Sequence, residues 1–203
     1  AEREATKSVT TLSEYKRIRK KEMQTLMNTD LEKVTQELIQ KEIDKACKNH
    51  SSHTIRNWHG LVSGVAKEFI PDLRLNTNLP EKEQADKYIP TEEEIKHLLE
   101  IIKDDPLEIP VLLAVFGPLR RGEAAALRAE SIQGNRVHVY ENMVKDRESK
   151  EWHIKTPKSF AGDRYIEFPD TVAEKWKGIK SGRLTDLNPD NITNYFGRFL
   201  VRN

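Results

Sequence analysis

Two adjacent arginines and a nearby acid stand out in Gly117-Pro118-Leu119-Arg120-Arg121-Gly122-Glu123-Ala124-Ala125-Ala126-Leu127-Arg128. Arginine offers a planar fork of donors matched to phosphate oxygens and stays charged at any physiological pH. Arg120 and Glu123 are three apart and so share a helix face, where the acid can orient or partly neutralise the guanidinium. The plain alternative is a surface helix with an ordinary ion pair. A second basic stretch is Lys155-Thr156-Pro157-Lys158-Ser159-Phe160-Ala161-Gly162-Asp163-Arg164. A third is the cluster Lys16, Arg17, Arg19, Lys20 and Lys21, five cations within six residues. Such a cluster is either a solvated helix face or a helix lying along a phosphate backbone. Thr54, Arg56, Asn57 and His59 bring short polar groups and donors to one further helix. Those side chains either reach DNA or serve structure.

Other chemistries find no support. Six histidines are scattered, and no Cys or carboxylate completes a metal-ligand set around His50 and His53. There is no Gly-rich phosphate loop, so no nucleotide cofactor is expected. The single cysteine, Cys47, excludes an intrachain disulfide, fits a reducing cytosol and reads as a small core residue. No apolar run approaches membrane-spanning length. The 203 residues are 33% charged and 36% hydrophobic with a net charge of +1, so nucleic-acid binding must be argued from local clustering. The low apolar fraction suits two smaller cores better than one large one.

The elements that must position these residues follow from periodicity. Leu12 to Met27 reads as one helix. A second helix starts at the N-cap Thr35, and a third runs from His53 to Phe69 with Ile55, Trp58, Val62, Val65 and Phe69 on one stripe. Residues 71–88, bracketed at their start by Pro71 and Pro80, read as a linker. Thr91 with Glu94 forms a capping box for the next helix, and Asp104-Asp105-Pro106 ends it. Leu107 to Phe116 is a short buried helix. The period then changes to two: residues 136–140, 151–155 and 164–168 are expected to form a three-stranded antiparallel sheet with tips at 146–150 and 157–163. Asp170 caps a short helix through Trp176, and Asn188-Pro189 opens the last one, in which Tyr195 reads as core. The fold class expected is mainly α with a small antiparallel β-sheet.

This order of parts resembles the tyrosine recombinases, the phage integrase family. The resemblance rests on Tyr-Ile-Pro-Thr-Glu-Glu-Glu-Ile at 88–95, Phe-Gly-Pro-Leu-Arg-Arg-Gly-Glu-Ala-Ala-Ala-Leu at 116–127 and Lys-Thr-Pro-Lys-Ser-Phe-Ala-Gly-Asp-Arg-Tyr-Ile at 155–166. It implies a helical, SAM-like core-binding domain over 1–70, the linker at 71–88, and the N-terminal part of the α+β catalytic domain over 89–203. It implies that Arg120 holds the non-bridging oxygens of a scissile phosphate, with Arg121 the alternative, and that Glu123 is a supporting acid. Lys158 would protonate the leaving 5′ oxygen, with Lys155 as second choice. Lys16, Arg17, Lys20, Thr54, Arg56, Asn57, Arg121 and Arg164 would contact DNA, with holding the sheet the other role open to Arg164. The partner implied is double-stranded DNA, with a tetramer on DNA for the full-length parent and no membrane.

The resemblance also implies parts that the sequence lacks: a His-x-x-Arg box and a tyrosine nucleophile after it. No histidine follows His153, and none of Tyr15, Tyr88, Tyr140, Tyr165 and Tyr195 follows such a box. The chain as given is therefore expected to bind DNA without cleaving it. It would be a cytoplasmic fragment of a phage-type integrase whose parent forms a 3′-phosphotyrosyl intermediate without a cofactor. The alternatives are a non-catalytic DNA-binding or regulatory protein on the same scaffold, or a helical interaction module.

Overall fold

The computed structural model describes residues 8–83, 86–147, 149–156 and 162–202. The chain divides into two compact units, 1–88 and 89–203.

In the first unit, helix α1 (Val9–Lys21) starts at Ser8, whose hydroxyl accepts from the Thr11 N–H at 3.3 Å. The helix expected to run on to Met27 breaks here. Met23 takes a left-handed conformation, and a short helix α2 (Gln24–Met27) follows. A straight helix would turn Met23 about 140° away from Ile18. The break instead lets Ile18, Met23 and Leu26 all enter the core, where each is buried. Helix α3 (Gln36–Ala46) has Thr35 as its N-cap, and helix α4 (Ser52–Phe69) has Ser51. Ile39, Ile43, Ile55, Trp58 and Val62 complete that core. Cys47 lies just after α3 and is exposed, contrary to the core placement expected of it.

The stretch expected to be a linker is largely part of this unit. Leu73, Leu75 and Leu79 pack on the helical core. The Gln36 amide donates to the Asn76 carbonyl at 3.0 Å and accepts from the Asn76 N–H at 3.1 Å. Gln40 does the same with Asn78 at 3.2 and 2.8 Å. The spacing matches: four residues of helix and two of extended chain both advance about 6–7 Å. Arg56 donates twice to the Pro80 carbonyl, at 2.8 and 3.1 Å.

The second unit opens with helix α5 (Glu92–Ile101), whose Thr91–Glu94 capping box is complete at 2.7 and 3.3 Å. Helix α6 (Glu108–Phe116) is apolar and buries Pro110, Val111, Leu112 and Leu113. It leads to the short helix α7 (Arg121–Ala126). Strands β1 (Ile132–Gln133), β2 (Arg136–Val139) and β5 (Arg164–Glu167) form one antiparallel sheet in the order β1-β2-β5. Strands β3 (Asn142–Lys145) and β4 (Trp152–Lys155) form a separate hairpin, closed at its tip by the Asp146 N–H on the Glu151 carbonyl.

This corrects the single three-stranded sheet. Residues 152–155 pair with 142–145, which were not expected to be a strand, while β2 pairs directly with β5, Val137 opposite Ile166. Val137 and Val139 point inward, and His138 stacks on Tyr165 on the other face at 4.2 Å. Helix α8 (Asp170–Ala173) runs into a 3-10 turn that buries Trp176 against Phe168. Helix α9 (Pro189–Arg202) has Asn188 accepting from the Asn191 N–H at 2.8 Å. Tyr195 is on its exposed side rather than in the core, with the Arg198 guanidinium 6.0 Å from its ring. No helix among the described residues is long and apolar enough to cross a membrane.

Candidate active site

The α6–α7 turn places the first arginine. Gly117 lies against Phe168, where a Cβ would come within 2.2 Å of the ring, so the turn is seated directly on the end of β5. Leu119 is buried, and its N–H reaches the Leu113 carbonyl at 3.2 Å. Arg120 therefore emerges at the N-terminus of α7 with its side chain 76% exposed. Glu123, one turn on, is 7% exposed and reaches back to it. Its Oε2 accepts from the Arg120 N–H at 2.9 Å, and its Oε1 accepts from Arg120 Nη1 at 2.8 Å.

A second guanidinium meets the same carboxylate. Arg164, at the start of β5, donates from Nη2 to Glu123 Oε2 at 2.8 Å and from Nη1 to Oε1 at 3.4 Å. Its Nη1 also lies 3.5 Å from the Gly162 carbonyl. Burial alone would raise the Glu123 carboxyl. The hydrogen bonds from Arg164, from the Arg120 N–H and from the Arg120 side chain outweigh it and hold the group below the ordinary glutamate range. Two fixed positive charges thus share one negative charge. The surplus borders an open recess of about 400 Å³ lined by Gly117, Pro118, Arg120, Arg164 and Ile166. A solvent-facing guanidinium, oriented by a buried acid and carrying unspent donors, can bind an oxyanion.

Helix α7 is also held from behind. A Cβ on Gly122 would fall 2.1 Å from Asn142 Oδ1 and 2.8 Å from the Met143 carbonyl, so β3 packs directly on the helix. Asn142 is the register partner of Lys155, which ties β4 and Lys155 to α7 through one strand. Lys158 lies outside the described residues. Arg183 donates to the Ala125 and Leu187 carbonyls at 3.1 and 3.3 Å, capping the C-terminal end of α7. Sequence reasoning missed this contact, because an arginine held by carbonyls leaves no charge pattern to find.

No family model matches this sequence, and no curated protein does. Solved structures do. The Tn1549 transposon integrase in complex with circular intermediate DNA gives a TM-score of 0.77 at 15% identity, over 99% of this chain and 74% of that one. The same integrase with transposon right end DNA gives 0.66 at 19% identity, over 85% and 59%. A lambda integrase dimer bound to a COC′ core site gives 0.63 at 14% identity, over 96% and 72%. The chain has the tyrosine-recombinase fold. It spans between 59% and 74% of these three recombinase chains.

Within the recombinase fold, the expected site residues separate. Arg120 and Glu123 are together, and Arg164 joins them by pairing with Glu123. Arg121 is not in this cluster; its Nη1 donates to Thr193 Oγ1 on α9 at 2.8 Å. In the first unit, Lys16 and Lys20 are on the exposed side of α1. The guanidinium of Arg17 is taken by Glu14 and Glu22 at 2.8 and 2.7 Å, and Trp58 lies beneath it at 5.8 Å. On α4, Thr54 shares a hydrogen bond with the cap Ser51 at 3.0 Å, and Arg56 is held by Pro80. Asn57 is exposed and 3.2 Å from His53. Among the described residues, no group of three His, Cys, Asp or Glu is placed to hold a metal ion.

Proposed function

We propose that this chain is the DNA-binding part of a phage-type integrase, acting in the cytoplasm on double-stranded DNA. The observation that carries this reading is the exposed Arg120 guanidinium pinned on buried Glu123, within a fold shared with integrases solved on DNA. Arg120 would bind the non-bridging oxygens of one phosphodiester. Its charge would count for more as negative charge builds in the transition state. In a longer protein that supplies a tyrosine, the phenolate attacks phosphorus, the P–O5′ bond breaks, and a lysine protonates the departing 5′ oxygen. A 3′-phosphotyrosyl link then holds the DNA until the reverse reaction rejoins a strand. The placement of Lys155 opposite Asn142, next to α7, supports Lys155 as the alternative to Lys158 in this role. Phosphate contacts by Lys16 and Lys20 of α1 would anchor the duplex.

Two measurements test this. Binding of labelled duplex to the chain, followed by fluorescence anisotropy, should weaken with salt at a log–log slope of about −0.9 per phosphate contacted. Replacing Lys16 and Lys20 by Ala should reduce that slope by about two. Salt-independent binding, or the same slope in the double variant, removes the phosphate contacts assigned to α1. In the tyrosine-bearing protein, Arg120→Ala should slow accumulation of the covalent DNA adduct about 10²-fold or more. An unchanged rate takes Arg120 out of the chemistry.

A further inference from the structure

Arg164 was expected to touch DNA, but its guanidinium is committed elsewhere. Nη2 and Nη1 both face the Glu123 carboxylate, and the side chain is only 26% exposed against 76% for Arg120. The carboxylate has two oxygens. Arg164 Nη2 takes Oε2 at 2.8 Å, an oxygen already accepting the Arg120 N–H, while Oε1 takes a 2.8 Å bond from Arg120 Nη1 and a longer 3.4 Å one from Arg164 Nη1. The Arg120 guanidinium is therefore held on Glu123 through Nη1 alone, and the exposed side chain lines the recess.

We infer that Arg164 is a positioning residue for Arg120, acting through Glu123 rather than on the nucleic acid. Without the Arg164 fork, Oε2 keeps only the Arg120 backbone N–H and has acceptor capacity to spare. Glu123 then accepts a second bond from Arg120, closing the fork–fork pair that arginine and carboxylate favour, and fewer donors face an incoming oxyanion. Arg164 also follows the 157–163 segment directly and its Nη1 lies near the Gly162 carbonyl, so the same side chain links the end of that segment to the arginine helix. This rests on the reading of Arg120 as an oxyanion donor.

The test is a double-mutant cycle on the 203-residue chain, with inorganic sulfate as probe because its charge is constant between pH 4 and 8. Binding is read from the Arg120 Nε–H resonance at fixed ionic strength. Arg164→Lys keeps the charge and loses the fork. It should lower sulfate affinity about threefold or more in the native background and less than twofold when Glu123→Gln is also present. The ¹³C titration of the Glu123 carboxyl should move up in Arg164→Lys, a readout that loose packing alone does not predict. Equal losses in both backgrounds would mean that Arg164 touches the anion itself, and no loss in either would mean that it positions nothing; both overturn the inference. Arg120→Ala is the separate control. If sulfate affinity survives it, the oxyanion reading fails, while the Glu123 titration still reports whether Arg164 governs that carboxylate.

Discussion

Glu123 is a buried charge whose retention depends on its neighbours. Its folded value lies below the ordinary carboxyl value of about 4.3, so it stabilises the fold at pH values above that point. That contribution is lost as pH falls through the depressed folded value. Glu123→Gln should therefore lower stability at neutral pH by about 1–3 kcal/mol, the range for a buried polar group that loses charged partners. Exposure of Arg120 places the result toward the lower end, because solvent screens that half of the pair. Thermal midpoints of both proteins across pH 2–8 check this. The gap should be constant near neutrality and close in acid. A gap that widened as pH fell would contradict the assigned sign.

At the scale of elements, the tightest requirement is the contact of α7 with β3. Gly122→Ala forces a methyl into the Asn142 side chain and the Met143 backbone, and the expected loss is about 1–3 kcal/mol. Gly60 is a built-in contrast. It sits in the interior of α4 with nothing within 4 Å of its missing Cβ, so Gly60→Ala should stabilise by about 0.5–1 kcal/mol. Denaturant midpoints of the two variants should move in opposite directions, and a shift of both the same way would refute the packing assignment. Neither effect is visible from composition. What was legible is local: the Thr91–Glu94 capping box, the Thr35 cap and the buried part of the α4 stripe, Ile55, Trp58 and Val62, each depend on residues within one or two turns, whereas Val65 and Phe69 of that stripe are exposed. The Arg120–Glu123 pair was legible for the same reason. The Arg164–Glu123 pair spans 41 positions and the Arg121–Thr193 bond 72, and no spacing rule reaches that far. The sheet misled because 142–145 carries too few alternating apolar residues to announce a strand. Its pairing with 152–155 is settled by the hairpin tip and by Met143 against α7. Arg17 was counted as a DNA donor although Glu14, three residues back, lies within reach of the same spacing rule, with Glu22 five residues on as its second acceptor; Arg56 was counted because the Pro80 carbonyl, 24 positions away, meets it only once the extended segment packs.

At the scale of the molecule, each unit has its own core. The described residues from Pro80 to Pro90 are exposed or half-buried, with Lys82 and Lys87 among the exposed ones. Limited trypsin digestion should cut at Lys82 or Lys87 first and leave two resistant fragments; early cuts inside α3 or α4 would argue against a self-contained first unit. The paired hydrogen bonds of Gln36 and Gln40 set where that unit may be divided from its neighbour. A chimaera that exchanges the helical unit at the end of α4 would discard the extended segment whose backbone those two amides clasp, and would strip Leu73, Leu75 and Leu79 from the core. The transplantable module ends beyond Pro80, and a graft that respects this boundary carries its own seal.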